Sequence, residues 1–325
     1  MPEIIKFEEA IEEAKEIDDG KLTLLIGNGF SAHYFNYSSL LEASGLADEM
    51  PERRLFDALN TVDFEEVFRV LGNAIQVAEI YPRDDYAERL KNSDKKIRES
   101  LMQAIQKTHP ESRTEIEDKL STVASFLSLF STLFTLNYDL LLYWAVLENK
   151  YSHRDGFQSG HRSDYYIGPF SEYAYCDMYN LHGGLHLFRD ENGGTHKAIG
   201  RRMFSRMLDL IKNNIRNGFL PIYVAEGLSA QKMEKIKSIR YLEHCYEKLK
   251  ESTGVIFIYG HSASENDSHI YDAIFKSKVS QIYFGFYDKK EIKNLDGRLA
   301  KYQKEAGSEI PYKFFDSKII ELWEN

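Results

Sequence analysis

The stretch KLTLLIGNGFSA, residues 21–32, governs how the rest of the chain is read. Lys21 to Ile26 is a nearly continuous apolar run that stops at Gly27-Asn28-Gly29. A strand with one wet face alternates polar and apolar residues, whereas one covered by helices on both faces does not. This run therefore fits a buried strand of a parallel sheet. Runs of the same kind recur at Ser131–Leu136, Met178–Leu181, Pro221–Val224, Val255–Tyr259 and Gln281–Phe286, each far enough from the next for a crossover. Helical spacing fills the gaps. Phe64, Val67, Phe68, Leu71, Ile75 and Ala78 fall on one helical face inside a mainly helical stretch, residues 45–130. The expected fold is α/β, a Rossmann-like doubly wound parallel sheet in one domain over residues 1–325, with 45–130 as a helical insertion. Asn149 to Asp177, rich in Tyr, Gly, His and Ser, is expected to be an irregular loop with one or two short elements.

Composition narrows the function. In 325 residues the set AVILMFWYC makes up 43% and charged residues 28%, which allows a real core and excludes a disordered tail or a membrane bundle. Forty-one Lys and Arg against 51 Asp and Glu leave a net charge of -10, which repels a phosphate backbone, so no direct nucleic-acid partner is expected. The basic run Lys197 to Arg216 reads as a solvated helix face, and the tyrosines between Tyr165 and Tyr179 as loop packing. Cys176 and Cys245 stand far apart, which excludes a disulfide scaffold or a four-cysteine zinc site and fits a reducing, cytoplasmic compartment. Met1 to Ala14 is acidic and amphipathic, unlike a signal peptide. Thr122 to Leu147 is about long enough to span a membrane. However, Asp139 in its middle costs roughly 2.5 to 3.5 kcal/mol on insertion scales. The segment reads instead as a helix end, a strand and a new helix, with no membrane contact.

Four strand ends carry polar residues. After the first strand, Gly27-Asn28-Gly29-Phe30-Ser31 allows a sharp turn and a close approach of ligand phosphates to backbone N–H groups at a helix start. A strand-to-helix turn with no ligand has the same pattern. Thr135-Leu136-Asn137-Tyr138-Asp139 places Asn137 and Asp139 where open parallel sheets bind ligands, although Asp139 also suits a helix cap. In Asn180-Leu181-His182-Gly183-Gly184-Leu185-His186, His182 is a general-base candidate. His182 and His186 have metal-ligand spacing, but Gly183 replaces the acid of zinc peptidases and the glycines oppose a helix, so no metal is expected. In Gly260-His261-Ser262-Ala263-Ser264-Glu265-Asn266-Asp267, Ser264 and Asp267 read as a capping pair, while Gly260, Ser262 and Asn266 offer a second cradle for phosphate or ribose hydroxyls.

Taken in order, Gly27-Asn28-Gly29-Phe30-Ser31, Thr135-Leu136-Asn137-Tyr138-Asp139, Leu181-His182-Gly183 and Gly260-His261-Ser262 resemble the motif series of the sirtuin fold, over residues 21–290 apart from the helical insertion. The resemblance implies that Gly27, Asn28, Gly29 and Ser31 hold the pyrophosphate of NAD, that Asn137 and Asp139 surround the nicotinamide and its ribose, and that His182 is the catalytic base. Asn28 replaces the family's usual Ala, the acyl-lysine groove is not recognisable, and Gly183 to Leu220 contains no cysteine, so the four-cysteine zinc module of the protein deacylases is absent. The pattern is similar to bacterial sirtuin-like effector domains of antiviral defence, which hydrolyse NAD. Those are regulated by oligomerisation or by a partner chain, so a homo-oligomer or a complex with a partner defence protein is expected. The implied activity is NAD glycohydrolysis to nicotinamide and ADP-ribose, with NAD as substrate. The alternatives are NAD-dependent deacylation or ADP-ribosyl transfer, and a module that senses NAD or ADP-ribose without turnover.

Overall fold

The computed structural model describes residues 3–18, 21–34, 40–81, 85–148, 153–158, 160–162, 165–199, 207–224 and 228–323. Numbered along the chain, a sheet of seven strands contains β1 (Ile4–Ile5), β2 (Leu22–Ile26), β3 (Thr132–Thr135), β6 (Met178–Asn180), β10 (Thr253–Tyr259), β11 (Lys278–Phe286) and β12 (Tyr312–Asp316). Its order is β1-β12-β11-β10-β2-β3-β6, and every neighbouring pair is parallel. From β6 to β12 this is the 3-2-1-4-5-6 order of dinucleotide-binding sheets, with β1 added at the edge. The fold is thus an α/β, Rossmann-like, doubly wound sheet. The chain winds outward from β2 through β3 to β6, then restarts on the other side of β2 with β10. The crevice between the carboxyl ends of β2 and β10 is the switch point.

Strand residues divide strictly by parity. Leu22, Leu24 and Ile26 enter one core cluster and Leu25 the other; Val255, Phe257 and Tyr259 oppose Ile256 and Ile258 in the same way. With both faces covered, neither parity is free to be polar, which explains the unbroken apolar runs. One face is covered by α1 (Phe7–Ile17) and by the helices between β2 and β3: α2 (Leu40–Ala43), α3 (Pro51–Leu59), α4 (Phe64–Ile80), α5 (Tyr86–Thr108) and α6 (Glu117–Leu127). α7 (Leu141–Glu148) and α8 (Met207–Arg216) share that core. α9 (Ser229–Ser238), α10 (Arg240–Lys250), α11 (Ser268–Phe275) and α12 (Ile292–Ala306) cover the other face. Among the described residues no helix is long and apolar enough to cross a membrane. The Thr122–Leu147 stretch is the end of α6, β3 and α7.

The structure differs from the sequence expectation in a second sheet, ordered β4-β5-β8-β7-β9 and antiparallel throughout. It contains β4 (His161–Arg162), β5 (Tyr166–Gly168), β7 (Gly183–Arg189), β8 (Thr195–Ala198) and β9 (Pro221–Tyr223). Pro221–Val224 is therefore no strand of the parallel sheet. Pro221 cannot donate to a ladder, and β9 pairs with β7 across a register shift instead. Of the basic run, Lys197 is held by Asp155 and Lys212 by Asp209, while Arg201, Arg202 and Arg206 lie outside the described residues.

Candidate functional site

A cleft of about 690 Å³ opens at the carboxyl ends of the parallel strands. That volume lies within the usual range of small-molecule sites, roughly 300 to 1,000 Å³. Its wall takes Asn28 and Gly29 from the turn after β2, Leu136 and Tyr138 after β3, His182 after β6, Gly260, His261, Ser262 and Asp267 after β10, and Lys232 from α9. Leu322 and Trp323 from the C-terminal segment complete it. Trp323 is fixed there by donating its indole N–H to the Phe30 carbonyl and by edge contacts with Phe30 and Tyr34, ring centroids 5.5 and 5.4 Å apart. A larger cleft of about 780 Å³ lies between α3, α4 and α9 and shares Val224 and Lys232 with the first, but it lacks the strand-end residues.

The two glycine turns bind each other. Gly27 N–H donates to the Tyr259 carbonyl (2.9 Å) and Gly29 N–H to the Gly260 carbonyl (2.7 Å), while Phe30 and Ser31 N–H groups bond back to Gly27 and Asn28. A three-residue 3-10 turn, Asn28–Phe30, follows β2 directly. The open row of amides at a helix start that the sequence suggested is therefore not formed: the amides of Gly27, Gly29, Phe30 and Ser31 are spent on the loops. The glycines are required by backbone proximity. A Cβ on Gly27 would stand 2.7 Å from the Gly260 carbonyl oxygen, and one on Gly260, which has φ +69°, 2.5 Å from the Phe30 nitrogen. Gly260→Ala is expected to lose about 2 to 4 kcal/mol through left-handed strain and overpacking. Gly297→Ala, in open space on exposed α12, is expected to gain about 0.5 to 1 kcal/mol. Urea denaturation of the two variants checks both signs.

Behind this wall, Asn137 and Ser31 meet. The Asn137 amide N–H donates to Thr135 Oγ1 (3.0 Å) and its Nδ2 to Ser31 Oγ (3.1 Å), while Oδ1 is buried without a hydrogen-bond partner. Asp139 turns elsewhere: its Oδ1 accepts from Leu141 N–H (2.7 Å) and caps α7. Asn266 is exposed and stands outside the cleft wall.

His182 sits beside a charged cluster assembled from three elements. Its Nε2 is buried without a hydrogen-bond partner, 3.9 Å from Asp267 Oδ1. The same Oδ1 accepts from Lys232 Nζ at 2.8 Å, and Asp267 Oδ2 is 3.3 Å from His261 Nε2. Backbone Ala263 N–H donates to His261 Nδ1 (3.0 Å), so a neutral His261 carries its proton on Nε2 and points it at Asp267. Burial would raise the Asp267 carboxyl, yet the His261 hydrogen bond, the two imidazoles beside it and the Lys232 ammonium together hold it far below the usual carboxylate range. Burial holds His182 well below the ordinary imidazole value despite the Asp267 charge, with Lys232 adding to the effect. Its ring stacks on His269, centroids 5.7 Å apart. The turn carrying this cluster is strained, since Ala263 has φ +51° and is clamped there by Tyr302 OH donating to its carbonyl at 3.0 Å.

Residues 24–323 match the family model described as a domain of unknown function (DUF4917), a span that includes every residue of the cleft wall. The chain belongs to the DUF4917 family. No curated protein matches it. In this DUF4917 chain the cleft gathers Asn28, Gly29, Gly260, Ser262 and His182 on its wall, with Gly27, Ser31 and Asn137 bonded just behind. Asp139 and Asn266 stand apart. Sequence reasoning missed Lys232, Asp267, His261, His269 and Trp323. Asp267 reads from the sequence as a cap and does occupy the N-cap position of α11, but its carboxylate makes no capping hydrogen bond there, while Ser264 Oγ accepts from Asn266 N–H. The Asn-Asp-Ser-His run at 266–269 was the available signal. For Lys232, 35 residues from its partner, there was none.

Proposed function

We propose that the cleft binds NAD and hydrolyses the bond between nicotinamide and its ribose. The observation that carries this is His182, an uncharged imidazole at the switch-point cleft, with a fixed carboxylate beside it and the unpartnered carboxamide oxygen of Asn137 on the chain between the wall residues Leu136 and Tyr138. The C1′–nitrogen bond breaks, nicotinamide leaves with the bonding pair, and positive charge develops on the ribose, the problem that glycosidases also meet. Water attacks C1′ and passes its proton to His182. Asp267, 3.9 Å from Nε2, favours the tautomer protonated there and leaves Nδ1 as the basic atom. The Asn137 carboxamide orients the ribose or the water. Asp139, occupied as a helix cap, and exposed Asn266 are given no part.

The resemblance to sirtuin-like defence effectors supports the choice of NAD, a cytoplasmic setting and control by self-association or a partner chain. Incubating the purified chain with NAD over a range of protein concentrations, followed by chromatography, is expected to show nicotinamide and ADP-ribose in equal amounts. Intact NAD with calorimetric binding would replace hydrolysis by sensing. Consumption only in the presence of an acceptor protein would replace it by group transfer.

A further inference from the structure

His182, Asp267 and His269 each offer a ligand atom within 4.8 Å of the other two. Two of these three residues are histidines, only 5% and 6% exposed, whose Nε2 atoms are buried with no hydrogen-bond partner. Buried polar atoms in native proteins are normally satisfied, and two such nitrogens beside one carboxylate describe a donor set that lacks its acceptor. The surrounding contacts fit the same description. His269 Nδ1 is 2.9 Å from Ser229 Oγ, which fixes the ring and leaves Nε2 as its unpartnered nitrogen. Asp267 is oriented by Lys232 and His261. Metal ligands are characteristically held by such outer partners.

We propose that His182, Asp267 and His269 form a site for a divalent transition ion of the zinc type. Two imidazoles and one carboxylate suit zinc and cobalt, and three protein ligands leave a fourth position for water or a ligand group. A tetrahedral ion holds its donors about 3.3 Å apart, so the three side chains close inward by roughly an ångström on binding. The Lys232 ammonium, 2.8 Å from Asp267 Oδ1, is the competing cation. The pair is not the one that sequence spacing suggested: His186 is stacked on Tyr143 instead. An ion on His182 Nε2 forces the imidazole proton onto Nδ1, the atom that hydrolysis needs free, so the site is inhibitory. That consequence rests on the hydrolysis reading; ion binding does not.

The test uses the full chain, treated with a chelator and titrated calorimetrically with Zn²⁺ and separately with Co²⁺. One ion per chain is expected, with binding weakened at least 100-fold in His269→Ala and in His269→Gln, the second variant guarding against a folding defect in the first. Lys232→Met is expected to bind at least tenfold more tightly. Absence of stoichiometric binding by the wild-type chain, or binding by the His269 variants as tight as that of wild type, would overturn the site. With NAD present, Zn²⁺ is expected to stop nicotinamide release by the wild-type chain and to spare His269→Gln. Equal inhibition of both would overturn the inhibitory role. If nicotinamide never appears under any condition, hydrolysis fails while the titration still decides the ion.

Discussion

His182→Ala is expected to lower nicotinamide release from NAD at least 100-fold while leaving the chain folded. General-base help contributes about 10² to 10⁴ in rate, equivalent to about 3 to 5 kcal/mol of barrier. The structure makes the variant a clean one. The fold uses the His182 backbone, whose carbonyl accepts from Val224 N–H at 2.9 Å, whereas Nε2 has no hydrogen bond to lose. Truncation therefore removes packing but orphans nothing. Asn137→Ala is expected to reduce turnover comparably, at a stability cost of about 1 kcal/mol for the bond to Ser31 Oγ. Steady-state rates beside urea midpoints separate the two effects. Wild-type turnover in a folded His182→Ala protein would remove His182 from the reaction.

The second large effect is on stability in acid. His186 is 2% exposed, both its ring nitrogens lack hydrogen-bond partners, and its ring stacks on Tyr143 at 4.8 Å. Burial, reinforced by the Lys197 cation, pushes its pKa down to about 3. In the unfolded chain the value returns to about 6.5. Below that pH the unfolded chain binds a proton that the folded chain refuses, so stability is intact above about pH 6.5 and is lost as pH falls towards 3. At about 1.4 kcal/mol per pH unit, this residue alone removes about 2 kcal/mol by pH 5. His109 acts with the same sign. It is buried and lowered, and its ring accepts from Leu140 N–H at 2.9 Å, a bond that protonation of Nε2 would break. Urea midpoints of the wild-type chain and His186→Phe at pH 7.5 and 5 measure the contribution. The variant is expected to match or exceed wild type at pH 7.5 and to lose about 2 kcal/mol less at pH 5. An unchanged slope would exclude His186 as a source.

Much of the sheet was legible because doubly buried strands cannot alternate: β2, β3, β6, β10 and β11 all lie within or around the apolar runs read from the sequence. β1 and β12 escaped, the first because two residues carry no pattern and the second because Tyr312–Asp316 is half-exposed and charged at intervals. Of the site, the strand-end motifs were legible and their neighbours were not. Asn137 and Ser31 are 106 residues apart, and Ser229 and His269 are 40 apart. No local period encodes such pairings.

Burial periodicity and glycine placement are local properties, since a strand covered on both faces must be apolar at every position and a turn closing on another backbone must lack a Cβ. Those properties were present in the linear chain, and with them the α/β class and the positions of the polar strand ends. Which strand ends share a cleft was a matter of winding order. The return of the chain beside β2 as β10 brings Gly260 onto Gly29, Asp267 towards His182 and Lys232 onto Asp267. The same winding leaves Asp139 capping a helix and turns β9 into an antiparallel sheet. Electrostatic and hydrogen-bond energies fall off over a few ångströms of space whatever the separation in sequence, so the charge state of His182 and the donor set around it arise only in the folded molecule.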